Sequence, residues 1–329
     1  MSTKPKLLIT GATGFLGQEL IARLVQSDQF NLRCSYRNKT RIPTQSGIES
    51  IDWVEADLLK PKSLQNACQG VDAVVNLAGL RDFWTPKQAD YYALNQVGAE
   101  NLAKAAQNEG IKRFIQISTP LAFGMPEHKP FDETSQAENH PSHYGYSKYL
   151  GDKAITQVDE KQSIGLTILY FAAIIGANDP RATMEVERCV KGQLPALVGA
   201  DTTYTYLYIK DAIQVIEQAL TNSDCIGERY LIGNQRASTQ DYFALIAQFA
   251  GQRPPTLNLQ EKWLIPLAKT AEKIARWTGK KPIVPVDLLK TSAAGSLLFS
   301  SKKAEQAFNI NYHSLAFALE EAVKTIQAK

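Results

Sequence analysis

Hydrophobic and polar positions alternate between two periods along most of this chain. Short apolar runs predict strands at 6–10, 31–36, 51–54, 72–77, 112–118 and 166–171. Between them, apolar residues recur at helical spacing and predict helices at 15–27, 62–68, 86–109 and 142–159. A strand from Tyr204 to Ile209 then leads into a helix from Asp211 to Ala219. A strand at 228–232 and a helix at 239–251, ended by Gly251, come next. Such alternation predicts an α/β fold with a doubly wound parallel sheet. The stretch from Asn178 to Leu207, with Pro180 and Pro195, reads as inserted loops and short helices.

Residues 259–277 break the pattern. Trp263, Leu264, Ile265, Leu267, Ala268, Ile274 and Trp277 stand among Lys and Glu. The segment fits either a basic amphipathic helix lying on a membrane or a lid or helix packing its apolar side inward. Packing is favoured, and Pro266 fits poorly inside a helix.

Composition narrows the function classes. The 329 residues suffice for a large core, and a formal charge of +3 gives no reason to expect a nucleic-acid partner. No apolar stretch approaches the roughly 18 residues of a spanning helix, and the polar Met1–Lys6 leads straight into the first strand, unlike a signal peptide. Cys34, Cys68, Cys189 and Cys225 are widely separated and lack metal-ligand spacing, so reduced thiols in a cytoplasmic protein and no metal site are expected.

Candidate chemistry begins where the first strand ends. Thr10 is followed by Gly11-Ala12-Thr13-Gly14-Phe15-Leu16-Gly17 and then a helix, the setting of a phosphate-binding turn. Gly11 permits the turn, Gly14 lets the backbone approach a pyrophosphate, and Gly17 lets the helix pack closely. The helix N-terminus, with Thr13, Phe15 and Leu16, then faces the phosphates. After the second strand comes Arg37-Asn38-Lys39-Thr40-Arg41, with no acid. An acid there would bind the ribose 2′-hydroxyl of NAD, whereas arginine suits the 2′-phosphate of NADP. NADP(H) is therefore expected, held by Arg37 with help from Lys39 or Arg41. On the helix at 142–159, Tyr144 and Lys148 share a face. A phenol with pKa near 10 gains useful acid/base character beside an ammonium.

These segments resemble the extended branch of the short-chain dehydrogenase/reductase superfamily. The resemblance also rests on Asp57-Leu58 after the third strand, Asn76-Leu77-Ala78-Gly79 after the fourth, Asn95 on a helix and Ser118-Thr119 after the fifth. It implies a Rossmann-type domain at 1–175 plus about 204–235, with a small interwoven C-terminal substrate lobe at about 176–203 and 236–329. It implies cofactor contacts from Asp57, Leu58, Leu77, Ala78, Gly79, Asn95, Lys148 and Phe171, with Asn95 mainly structural. Tyr144 would be the acid/base, and Thr119, with Ser118 in reserve, would bind the substrate oxygen.

Departures from the pattern bear on the substrate. Extended enzymes acting on nucleotide-diphosphate sugars often carry an arginine where Tyr204 stands, and Tyr170-Phe171-Ala172 replaces the usual Arg-Pro-Gly. Phe83 and Trp84 bring aromatics toward the site. The pattern is similar to 3β-hydroxysteroid dehydrogenases and dihydroflavonol reductases, implying a ketone reductase or alcohol dehydrogenase for a hydrophobic or aromatic small molecule. A nucleotide-sugar epimerase or dehydratase is the alternative, although Pro120 takes the place of the acid a dehydratase would want. A non-catalytic NADP-binding sensor or assembly factor is a further one, but such relatives commonly lose the Tyr or Lys. A homodimer is also expected from family pairing of the Asn95 and Tyr144 helices. Leu94, Val97, Leu102, Tyr149, Leu150 and Ile155 either form that surface or face the sheet.

Overall fold

The computed structural model describes residues 4–44, 48–177, 180–194 and 196–328. Asn178 and Pro195, two of the residues read as loop, lie outside them. The strands are β1 (Lys6–Thr10), β2 (Asn31–Tyr36), β3 (Asp52–Glu55), β4 (Ala73–Asn76), β5 (Arg113–Ser118), β6 (Leu166–Phe171), β7 (Ala173–Ile175), β8 (Ala196–Val198), β9 (Thr203–Tyr208), β10 (Arg229–Ile232), β11 (Gln235–Ser238) and β12 (Leu257–Leu259). The helices are α1 (Phe15–Ser27), α2 (Pro61–Cys68), α3 (Ala89–Tyr92), α4 (Gly98–Asn108), α5 (His143–Val158), α6 (Pro180–Val190), α7 (Ile209–Thr221), α8 (Thr239–Ala250), α9 (Glu261–Thr278), α10 (Val286–Ala293), α11 (Lys302–Phe308) and α12 (Leu315–Gln327).

Seven strands form one sheet in the order β10-β6-β5-β4-β1-β2-β3, and every pairing in it is parallel. This is a Rossmann-type α/β fold with a seventh strand added beyond β6. Helices cover both faces of a parallel sheet, so its central strands read as unbroken apolar runs. Leu7, Leu8, Ile9, Val74, Val75, Phe114 and Ile115 are all fully buried. The chain reverses direction in the sheet between β1 and β4, and the crevice above their C-terminal ends is where such folds bind ligands. Two smaller sheets, β11-β9-β7 and β12-β8, stand beyond that edge with α8 to α10. β7, β8, β11 and β12 are only three or four residues long, too short to show a period.

Two helices depart from expectation. The segment expected as one helix at 86–109 begins at Ala89 and carries a π turn at Ala93–Val97, which swings Asn95 inward. α9 holds Pro266 in its interior, because packing of Ala268 against Val286 and Leu289 of α10 sustains a helix that propensity disfavours. Its packing is partial: Leu264 and Ile265 lie against that cluster, while Trp263, Leu267, Ile274 and Trp277 face outward.

Candidate active site

The glycine turn lies between β1 and α1. Gly11 has φ +71°, and a Cβ there would stand 2.8 Å from the Ala78 nitrogen. A Cβ on Gly17 would come within 2.7 Å of the Ala12 carbonyl oxygen and press still closer on that of Gly11, so α1 lies tight on its own turn. Gly14 caps α1 without any side-chain hydrogen bond, and no acid occupies the first turn. Its Cβ position meets only the Gly11 oxygen, at 3.1 Å. The cradle thus offers uncapped backbone N–H groups and room for close approach, which fits a dinucleotide pyrophosphate. Beneath it, the Thr10 hydroxyl donates to Asn76 Oδ1 at 2.6 Å, and Asn76 Nδ2 donates to Gln116 Oε1 at 2.8 Å. This buried amide ladder ties β1, β4 and β5 together at their C-terminal ends.

One cavity of about 1540 Å³ runs from this cradle along the sheet's C-terminal edge. Gly11, Thr13, Gly14, Phe15, Leu16, Gly17, Arg37, Asp57, Leu58, Leu77, Ala78, Gly79, Asn95, Lys148 and Phe171 all line it. So do Ser118, Thr119, Tyr144, Phe83 and Tyr204. Of the residues singled out in the sequence, Trp84 does not line it, and its indole N–H is buried away from any partner. Lys39 is also off the wall, whereas Arg41 and Asn38 are on it. The three-residue 3₁₀ turn over Lys39–Arg41 turns one cation in and the other out.

Ser142 caps α5, its hydroxyl accepting the Gly145 N–H. Tyr144 meets Phe83 edge to face, with ring centroids 5.7 Å apart. One turn on, buried Lys148 donates its ammonium to the Ile117 carbonyl at 2.8 Å. Burial pushes the Lys148 pKa down, and the charge of Asp152 pushes back. Asp152 is itself buried, and desolvation raises its pKa to about 6 against the opposing pull of Lys148 and the Ser118 hydroxyl. Ser118 donates that hydroxyl to Asp152 Oδ2, so its proton is committed. Thr119 Oγ1 accepts only a long 3.4 Å bond from the Leu121 N–H, leaving its own proton to give. Of these two hydroxyls on the cavity wall, Thr119 is the one whose proton is not engaged by Asp152.

Asn95 spans two elements. It accepts the Leu80 N–H at 2.7 Å and donates to both Leu80 O and Ser147 Oγ at 2.9 Å. Its polar atoms lock the loop after β4 to the helix carrying Tyr144, a structural role. Of the residues expected at a dimer surface, Leu102 and Ile155 are core and Leu94 lines the cavity.

Beyond Tyr144 the wall is aromatic and aliphatic. Tyr206 and Tyr242 stack at 5.0 Å, and Phe243, Leu297 and Phe299 extend the surface. It is not free of charge, for Arg81, Glu185 and Arg188 also border it. Glu185 and Arg188 come from α6, where one helical face lines the cavity.

The family model for NAD dependent epimerases/dehydratases matches residues 7–233. The chain belongs to that family. Among curated relatives of this epimerase/dehydratase chain, a candidate dihydroflavonol 4-reductase of Synechocystis sp. is 29% identical, covering 97% of this chain and 94% of its own. A 2-alkyl-3-oxoalkanoate reductase of Shewanella oneidensis is 23% identical over 97% of this chain and 85% of the relative. The crystal structure of gox2253 superposes with TM-score 0.81 at 27% identity, covering 99% and 98% of the two chains. A UDP-glucuronic acid 4-epimerase of Bacillus cereus, solved with UDP-glucuronic acid and NAD, shares the fold. Its TM-score is 0.77 at 20% identity, covering 98% and 99%. The family places this chain among nicotinamide-dinucleotide enzymes of the extended short-chain type. Among the described residues no helix is long and apolar enough to cross a membrane, and no His, Cys, Asp and Glu cluster could hold a metal ion. All four cysteines are buried free thiols.

Proposed function

We propose that this enzyme is an NADP(H)-dependent oxidoreductase interconverting a ketone and a secondary alcohol on a hydrophobic or aromatic small molecule. The observation that carries the reading is the meeting of Tyr144, Lys148 and Thr119 with an aromatic wall on one cavity. The bound nicotinamide supplies the hydride donor or acceptor, and the protein supplies the rest. Tyr144 gives a proton to the carbonyl oxygen, or takes one from the alcohol. Lys148 holds a positive charge behind it and eases that exchange. Thr119 donates a hydrogen bond to the oxygen as charge gathers there. Phe83 fixes the Tyr144 ring and sheds water.

Residues 1–175 and about 204–235 form the nucleotide-binding part in this proposal, and 176–203 with 236–329 the substrate lobe. The enzyme is cytoplasmic, and a homodimer pairs through the exposed side of α4 and α5. The second reading, a nucleotide-sugar epimerase, is favoured by Arg188 on the wall, a cation suited to a diphosphate. It also has a relative in YtcB of Bacillus subtilis, described as an uncharacterized UDP-glucose epimerase, 27% identical over 78% of this chain and 85% of the relative.

Two outcomes follow. Arg37 makes no ion pair among the described residues, so its guanidinium is available to a 2′-phosphate. Arg37→Ala is expected to weaken NADPH about ten- to hundredfold while sparing NADH, measured by fluorescence titration. Tighter NADH binding by the parent protein would overturn the cofactor assignment. Thr119→Ala is expected to lower kcat about a hundredfold. Ser118→Ala, which strips Asp152 of its donor, is expected to act first on melting temperature. The reverse ranking in steady-state kinetics and thermal melts would move the oxygen-binding role to Ser118.

A further inference from the structure

We propose that α9 is a peripheral membrane-docking helix that seats the mouth of the cavity on an anionic phospholipid surface. Trp263 is 71% exposed, Leu267 67%, Ile274 56% and Trp277 89%. Their spacings of four, seven and three residues put them on one stripe of the helix. The opposite side, with Leu264, Ala268 and Ala275, is the one turned to the protein. The outward stripe therefore contributes nothing visible to folding, and a contiguous apolar surface of this kind marks an interaction site.

Charge identifies the partner. Lys262, Lys269, Lys273 and Arg276 flank the stripe on one side, and Lys280 follows the helix. The two acids of α9 lie toward its packed side, where both are engaged. Glu272 accepts the Val286 N–H at 2.8 Å and pairs with Arg276, while Glu261 accepts the Ser292 hydroxyl at 2.7 Å. The outward face thus carries lysines without competing carboxylates, beside two tryptophans of the kind that favour a membrane interface. A second copy of the chain would set like charges against this flank, whereas anionic headgroups complement it.

The inner side of α9 and the segments flanking the helix border the cavity mouth. Leu264 of α9, Leu259 just before it and Ile283 just after it all line the cavity, and Ile283 is 72% exposed at its rim. Seating α9 on a bilayer brings this apolar rim to the lipid, a direct route for a hydrophobic substrate. Docking does not depend on which reaction the cavity performs, so its failure and that of the reductase reading are distinguishable.

The test uses the full chain with phosphatidylcholine vesicles, with and without phosphatidylglycerol. Co-sedimentation on the phosphatidylglycerol vesicles is expected, with a blue shift of tryptophan emission and weakening as salt rises. Trp263→Ser with Trp277→Ser, and separately Leu267→Glu, are expected to reduce binding roughly tenfold or more. NADPH affinity and melting temperature serve as the check on folding. Absence of binding by the parent protein, or binding that both variants keep, overturns the proposal. So does a dimer in sedimentation velocity that the same variants break without any vesicle binding, because the stripe then belongs to a second copy.

Discussion

Tyr144→Phe is expected to retain NADPH but to lose about a thousandfold in kcat/KM for ketone reduction. The substitution deletes one oxygen and keeps the ring that packs edge-on against Phe83. Fold and cofactor site should persist. General acid catalysis by a positioned side chain contributes about a hundred- to ten-thousandfold, and no other proton donor on the wall is better placed. Ser118 donates its hydroxyl hydrogen bond to Asp152. Burial raises the Tyr204 pKa, and the charge of Glu261 raises it further. The Lys148 bond to the Ile117 carbonyl does not involve the deleted oxygen and is expected to persist. A variant that keeps both cofactor affinity and turnover would remove Tyr144 from the chemistry. A chain with no turnover before or after the change would favour a non-catalytic role.

The second large effect is expected from Gly151→Ala. A Cβ at Gly151 would press onto the Asn95 carbonyl oxygen and stand 3.0 Å from its carbon. Both are backbone atoms of the π turn, so no side-chain rotation relieves the clash. α5 must move off the neighbouring helix, and Tyr144, Lys148 and the Asn95–Ser147 bond move with it. Overpacking of this kind costs about 3 kcal/mol. Alanine's higher helix propensity returns about 1 kcal/mol, too little to offset it. A clear fall in melting temperature together with weaker NADPH binding is the expected result. An unchanged melt would show that α5 and the π turn separate easily.

The fold was legible because parallel strands buried on both faces leave unmistakable apolar runs. β1, β2, β6 and α1 coincide with the expected ranges, and β3, β4 and β5 lie within a residue of theirs. The glycine cradle was legible for a related reason, since a strand, a turn and a helix constrain each other locally. What escaped notice depends on contacts distant in sequence. Gln116 reads as a polar residue in a strand until Asn76 supplies its partner, forty residues away. Ser118 and Thr119 look equivalent until Asp152 claims one of them. Helical spacing put Leu102 and Ile155 on a face but did not say which, and the buried core took both. In α9 the apolar pattern alone favours inward packing. Periodicity reports an amphipathic helix and not which medium its apolar side meets, and here part of that side meets solvent.

The most direct test of the central claim is the stoichiometry of NADPH oxidation against conversion of an apolar aromatic ketone, followed by absorbance and product analysis. Equimolar NADPH consumption and secondary alcohol formation, abolished in Tyr144→Phe, is the predicted result. Interconversion of a nucleotide sugar with no net cofactor consumption, and no reduction of any ketone, would contradict it.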